Sequence, residues 1–307
     1  MDPALSYRGG LIRIASAALI WGSIPLFVRQ VDSSAVTIVF WRVVFAALAL
    51  AIYLGIRGRL GELVRLPARK KLGLVAMGSI LAVNWVLFFS ALERTDVAVA
   101  VLLAYCGPIL VTVLGPLVTR EPLDRRAIVP LLLAIAGTVI IVGPRDLTLA
   151  GGTHLTGALL AFASAFTYAI GVLNAKRLLK GIPTSVFMLG EDLTVAVVLL
   201  PLVLMRPSPA TPIEWGALAT LGVVQTAGTG FLFLSGLRAV RTQHAAILTY
   251  AEPVSAVVFA AIFLAEPVTL ATAIGGALVV LGGVLVARME PSPGIETPGP
   301  TLELDTL

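Results

Sequence analysis

Four ionisable side chains, Arg42, Glu191, Asp192 and Glu252, interrupt stretches of chain that are otherwise apolar. A charge at membrane depth costs about 2.5–3.5 kcal/mol on insertion scales, so such residues face a protein interior or a partner. Arg42 lies about six residues into one apolar stretch. Glu191-Asp192 lies about nine into another, on the opposite side. Two readings stand for these three: matched gate positions, or a structural ion pair with snorkelling side chains. Glu252 lies deeper, next to Pro253. It reads either as a protonatable coupling group or as a neutral carboxyl bonding a carbonyl that the proline frees.

Around these charges lie polar and aromatic residues at mid-stretch: Trp21, Asn84, Trp85, Phe88, Tyr105, Tyr168, Gln225, Thr229 and Tyr250. Asn84 and Phe88 share a helix face by i,i+4 spacing, as do Gln225 and Thr229. Mostly apolar walls with a few placed polar groups suit a small-ligand site. Aromatics near helix ends, Trp215 and Tyr53, fit an interfacial belt instead. Pro108 and Pro253 sit one turn from Tyr105 and Tyr250. A mid-membrane proline frees a carbonyl and kinks its helix. The kinks fit either a transport cavity or packing alone.

The elements that position these residues follow from composition. Of 307 residues, 58% are apolar and 13% charged, and mean hydropathy is +0.99. Soluble domains are roughly one-quarter charged. A crossing helix needs about 20 apolar residues. Ten such stretches are predicted, at about 11–29, 36–56, 72–92, 97–118, 127–143, 155–175, 183–204, 214–236, 243–264 and 268–287. The runs lack the alternation of a lipid-facing barrel. The fold class is therefore an all-α integral membrane protein.

The net charge of +5 has a topological origin. With the N-terminus inside, inner loops carry 17 Lys and Arg and outer loops carry four: Arg29, Arg94, Arg145 and Arg206. This bias puts both termini in the cytoplasm. Leu11–Val28 reads as the first span rather than a cleaved signal peptide. The loops are short, which leaves no room for a soluble catalytic domain. The tail 288–307 is proline-rich and reads as disordered. The lone Cys106 permits no internal disulfide.

The chain also repeats itself. Residues 84–141 align without a gap on 229–286 at an offset of 145, with fourteen of 58 positions identical. The informative pairs are Tyr105/Tyr250, Pro108/Pro253, Glu121-Pro122/Glu266-Pro267 and Gly137/Gly282. Gly107 faces Glu252 in this alignment and breaks it. At offset 147, Trp21 pairs with Tyr168 and Arg29 with Lys176. Five helices per copy is an odd number, so the second copy enters the membrane inverted. The expected architecture is two inverted five-helix repeats, 11–143 and 155–287, a construction common among secondary transporters. Glu121 and Glu266 read as punctuation, accepting N–H bonds at the start of the next helix.

The pattern Leu103-x-Tyr-x-Gly-Pro-Ile, Arg120-Glu-Pro-Leu, Gly137 and its echo Leu248-x-Tyr-Ala-Glu-Pro-Val, Ala265-Glu-Pro-Val, Gly282-Gly resemble EamA-type domains of the drug/metabolite transporter superfamily. Trp21-Gly22 and Phe40-Trp41-Arg42 add to the resemblance, which covers about 11–287. It implies a ten-helix metabolite transporter of a bacterial inner membrane. Within the superfamily the chain is similar to amino-acid exporters of the YddG type.

Several classes are set aside. There is no phosphate-binding G-x-x-x-x-G-K-[ST] loop, no G-x-S-x-G elbow, and no metal-ligand spacing around His154 or His244. No cofactor, metal or nucleic-acid partner is expected. A membrane-embedded lipid-modifying enzyme is the competing class, and a structural subunit a third. The lipid bilayer and a small-molecule substrate are the expected partners, for a monomer or homodimer. Small residues Ala271, Gly275 and Gly282 stripe the last span for close packing, within the chain or between copies. With no midplane cation cluster for phosphate, the expected cargo is net-neutral: aromatic and other neutral amino acids and related compounds.

Overall fold

A computed structural model describes residues 6–95, 97–119, 121–142, 152–265 and 267–289. Among these residues there are helices and no strands. Ten helical spans are long and apolar enough to cross a membrane: Tyr7–Val28, Ala35–Ile56, Ala68–Leu92, Val99–Thr119, Arg125–Val142, Gly152–Gly181, Thr184–Val203, Pro212–Ala239, Thr242–Leu264 and Leu270–Ala287. They are called spans one to ten. Each falls on a predicted stretch, with ends that differ from the predicted ones by at most six residues. Most of the predicted tail, Glu266 and most of the linker between the halves lie outside the described residues.

The outer surface is what a lipid environment selects. Large apolar side chains such as Ile56, Leu117, Leu204 and Ile262 stand exposed on the helices, which hydrocarbon tolerates at no cost. Helix association in lipid then depends on close packing rather than on water exclusion. Spans five and ten pair through Gly137 and Gly275. A Cβ on Gly137 would stand 2.4 Å from the Gly275 carbonyl oxygen, and one on Gly275 2.6 Å from that of Gly137. The small-residue stripe on span ten thus packs within the chain. Thr138, buried on span five, is a polar group at the same contact. Spans one and eight meet similarly at Gly10 and Gly236.

The spans that carry the expected site residues are interrupted. Span one ends its first helix at Trp21, turns at Gly22-Ser23, and resumes as Ile24–Val28. Span four splits into Val97–Ala104 and Cys106–Thr119, and span nine into Thr242–Thr249 and Ala251–Leu264. Pro108 and Pro253 were expected to kink these helices at their own positions. The breaks instead fall at Tyr105 and Tyr250, three residues earlier. A proline clashes with the carbonyl four residues back but fits the first turn of a new helix, and that is where both prolines sit. Span eight carries a π-helical stretch, Leu221–Gly228, a local widening that recurs at functional sites.

Replacing Gly137 by Leu should force spans five and ten apart. Overpacking of this kind costs about 1–3 kcal/mol. Thermal unfolding of the purified protein in detergent should show a clear fall for Gly137→Leu and little change for the lipid-facing Val280→Ala. Equal melting of both variants would contradict the contact.

Candidate functional site

The two breaks face each other. Tyr250 donates its hydroxyl to the Tyr105 carbonyl at 2.7 Å, and the two rings stack at 5.7 Å with 26° between planes. A buried hydroxyl must find its partner inside the protein at this depth. Here one half of the chain satisfies the other. Tyr168 joins them from span six: a Cβ on Gly107 would stand 2.6 Å from its ring. Glycine at 107, where the second copy has Glu252, therefore makes room for an aromatic ring.

Three more expected residues form a second group. The Trp21 indole donates to the Gln225 carbonyl at 3.0 Å. The Gln225 amide donates to the Ser23 hydroxyl at 3.1 Å, and the Thr229 hydroxyl to the Gln225 carbonyl at 2.5 Å. Gln225 Oε1 is buried without a partner. Asn84 stands apart. Its amide donates to the Ser164 carbonyl at 2.7 Å and the Thr167 hydroxyl at 3.0 Å, clamping span three to span six. Phe88 packs on Phe89 at 5.7 Å.

Arg42 and Glu191-Asp192 enter the bundle from opposite ends, as read from the sequence, and each lies well inside its span. Arg42 is the eighth residue of span two and Asp192 the ninth of span seven. At 1.5 Å per residue they lie about 10 and 12 Å in from opposite ends, either side of the midplane of a core about 30 Å thick. The two spans pack along their length, and the Arg42 guanidinium feels both the Asp192 and the Glu252 carboxylates. Arg42 Nε donates to the Thr226 hydroxyl on the π-helical stretch at 3.0 Å. The guanidinium lies 5.2 Å above the Trp85 ring centre. Asp192 is 4% exposed and its Oδ2 has no partner. Glu252 also acts electrostatically on Tyr105 and Tyr168. The centre therefore involves spans two and seven as well as four, six, eight and nine.

One end of the bundle, here the basic end, is tied shut by a polar network. Glu121 pairs with Lys176 at 2.6 Å and accepts from the Thr242 N–H at 2.8 Å and hydroxyl at 2.7 Å. It therefore caps the start of span nine rather than span five. Asp124 caps span five through the Arg126 N–H. Asp124 also faces Arg241 at 3.3 Å and His244 at 3.5 Å. Tyr7 hydrogen-bonds His244, and Gln243 bonds the Asp124 N–H and the Pro122 carbonyl. Sequence reading missed this network. Its signal was four consecutive polar residues, Arg241-Thr242-Gln243-His244, opening a span; all four are buried. No group of three metal-ligating side chains occurs among the described residues.

Toward the other end, a cleft of about 550 Å³ opens between spans one, eight and nine, lined by Ile20, Phe27, Val224 and Phe259 with Ser23 and Gln225 at its polar floor. Of the nine expected substrate-contacting residues, Gln225 alone lines it. Tyr250 and Thr229 are each 1% exposed, so the centre is shielded in this conformation.

Residues 8–143 and 155–288 each match the EamA-like transporter family. The chain belongs to that family. This EamA-family protein is 30% identical over 285 residues to an uncharacterized transporter of Archaeoglobus fulgidus, covering 92% of this chain and 97% of the relative. It is 29% identical over 209 residues to the aromatic amino acid exporter YddG of Ancylobacter novellus, covering 66% and 70%. A solved crystal structure superposes with a TM-score of 0.81 over 92% of this chain and 98% of that one, at 22% identity. The protein is a multi-pass membrane transporter.

Burial pushes the Glu121 carboxyl up, but the Lys176 ammonium and the Thr242 donors outweigh it and hold Glu121 below its ordinary value. A depressed carboxylate contributes stability above its unfolded pKa and loses it as pH falls through the folded one. Glu121→Gln strands Lys176 and should cost about 3–5 kcal/mol at pH 7. Below the ordinary carboxylate range, wild type and variant should converge. Melting curves at pH 7 and in acid test this; identical curves at pH 7 would contradict it.

Proposed function

We propose that this transporter exports small neutral and amphipathic metabolites, with aromatic and other neutral amino acids foremost, by alternating access about a midplane site. The observation that carries the reading is the meeting of the two broken helices at Tyr105 and Tyr250. Broken helices let half-spans tilt while the remainder stays packed, as in other transporters with midplane sites. In this reading residues 11–143 and 155–287 are inverted repeats that rock against each other. Spans five and ten, joined by Gly137 and Gly275, serve as scaffold.

The direction of transport rests on charge and closure. The 17-to-4 distribution of basic residues favours a cytoplasmic basic end in the inner membrane. The polar network then closes the cytoplasmic side, and the cleft near Gln225 faces away from it. Tyr105, Tyr168, Tyr250, Trp21 and Trp85 supply aromatic faces for a ring-bearing substrate. A similar relative described as an aromatic amino acid exporter supports the same cargo.

Counterflow of labelled phenylalanine in liposomes should detect exchange by the wild type. Tyr105→Ala and Tyr250→Ala should each lower the initial rate about tenfold, equivalent to ~1.4 kcal/mol, while Val280→Ala should not. Exchange confined to phosphorylated compounds would defeat the reading. Cysteines placed at 57–71 should react with impermeant reagents only after the cells are opened; labelling from outside alone would reverse the orientation.

A further inference from the structure

The charges at the centre present an unfinished arrangement. Arg42 carries one positive charge, and Asp192 and Glu252 carry carboxylates that act on it. Yet the ion pairs formed among the described residues join other side chains, and none closes between Arg42 and either carboxylate. The Arg42 contacts on the page are to a neutral hydroxyl, Thr226, and to the face of Trp85. Asp192 is 4% exposed, and its Oδ2 bonds to nothing. Opposite charges at membrane depth attract strongly, and a side chain as long as arginine can reach a neighbouring span. A gap held between them costs free energy unless something fills it.

The surroundings hold that gap open. The Thr226 hydroxyl sits on the π-helical stretch and is itself tied to the Leu221 carbonyl at 2.9 Å. It fixes Arg42 Nε on the side of span eight, while the Trp85 ring supports the guanidinium plane. Span two backs directly onto span eight here: a Cβ on Gly222 would stand 2.6 Å from the Arg42 carbonyl oxygen. One residue before Thr226, Gln225 Oε1 is a second buried acceptor without a partner.

We infer that Arg42 and the neighbouring carboxylate of Asp192 form a two-pronged site for a zwitterion, Arg42 taking the substrate carboxylate and Asp192 its ammonium. This rests on the amino-acid reading above and deepens it. A zwitterion inserted in the gap completes an alternating row of charges without changing the net charge of the centre. The Trp85 ring borders Arg42 and would receive the side chain. A guanidinium offers a planar fork that matches a carboxylate, which a lysine ammonium does not.

Three probes separate the prongs in counterflow of labelled phenylalanine by the full chain in liposomes: phenylalanine itself, phenethylamine (the ammonium alone) and 3-phenylpropionate (the carboxylate alone). In the wild type, phenylalanine should compete at least tenfold better than either fragment. Arg42→Gln should weaken phenylalanine at least tenfold and abolish competition by 3-phenylpropionate, with phenethylamine little changed. Asp192→Asn should give the mirror image, and Asp192→Glu should restore ammonium preference. Melting temperatures of each variant report on folding separately. If both variants weaken all three probes in the same proportion, or if neither alters the ratio, the charges are structural and the inference is overturned. If the wild type exchanges no amino acid, the amino-acid reading falls and takes this one with it.

Discussion

A tyrosine hydroxyl buried at membrane depth needs an acceptor that lipid cannot supply. In this chain the Tyr250 hydroxyl donates to the Tyr105 carbonyl, so the second half depends on the backbone of the first. In hydrocarbon the alternative is an unpaired group costing several kcal/mol. That constraint places the two broken spans face to face and fixes the ring stacking of their tyrosines. It also explains why Gly107 must be small, since Tyr168 fills the space beside the break. Residues drawn to the centre for this reason then make the aromatic surroundings of the charged groups.

The same rule governs the basic end, with a different outcome. Glu121, Lys176, Asp124 and Arg241 are shielded among spans that, in the proposed cycle, separate when that side opens. A buried ion pair gains Coulomb energy and loses hydration in comparable amounts. Opening would return these charges to water, which offsets the broken contacts. A gate made of apolar side chains would instead expose surface with no compensation. In the proposed cycle, ionic closure would therefore keep the two states close in free energy.

The spans were legible because a crossing helix must be about 20 apolar residues long, and this chain has few charges to blur their ends. The breaks were legible as a repeat, Tyr-x-x-Pro in both halves, though their position was displaced by three residues because proline disrupts the turn before it. Helix-to-helix partners were not legible. Nothing in the spacing showed that spans two and seven pack on each other, which is what brings Arg42 within electrostatic reach of Asp192. Asn84 and Gln225 read as substrate ligands. The Asn84 amide is engaged by span six, while Gln225 bonds the Ser23 hydroxyl and keeps a free oxygen; which partner an amide meets depends on rotations that no single helix's sequence encodes. Glu121 looked like a cap for its own following helix. Asp124 takes that role, which frees Glu121 to reach span nine.

The match between the two copies fails at one informative position. Gly107 admits the Tyr168 ring, and its counterpart Glu252 carries a carboxylate that acts on Arg42. Two copies with identical centres would place paired carboxylates beside the stacked tyrosines, and like charges at that depth repel. They would also leave no cavity for Tyr168. Similarity elsewhere, in the tyrosines, prolines and packing glycines, preserves equivalent bending in both halves. Difference at 107 and 252 gives the centre a direction, with an aromatic side and a charged side. Under the proposed reading, a substrate with a ring at one end and charges at the other has one orientation that satisfies both, and the difference that breaks the repeat would supply that orientation.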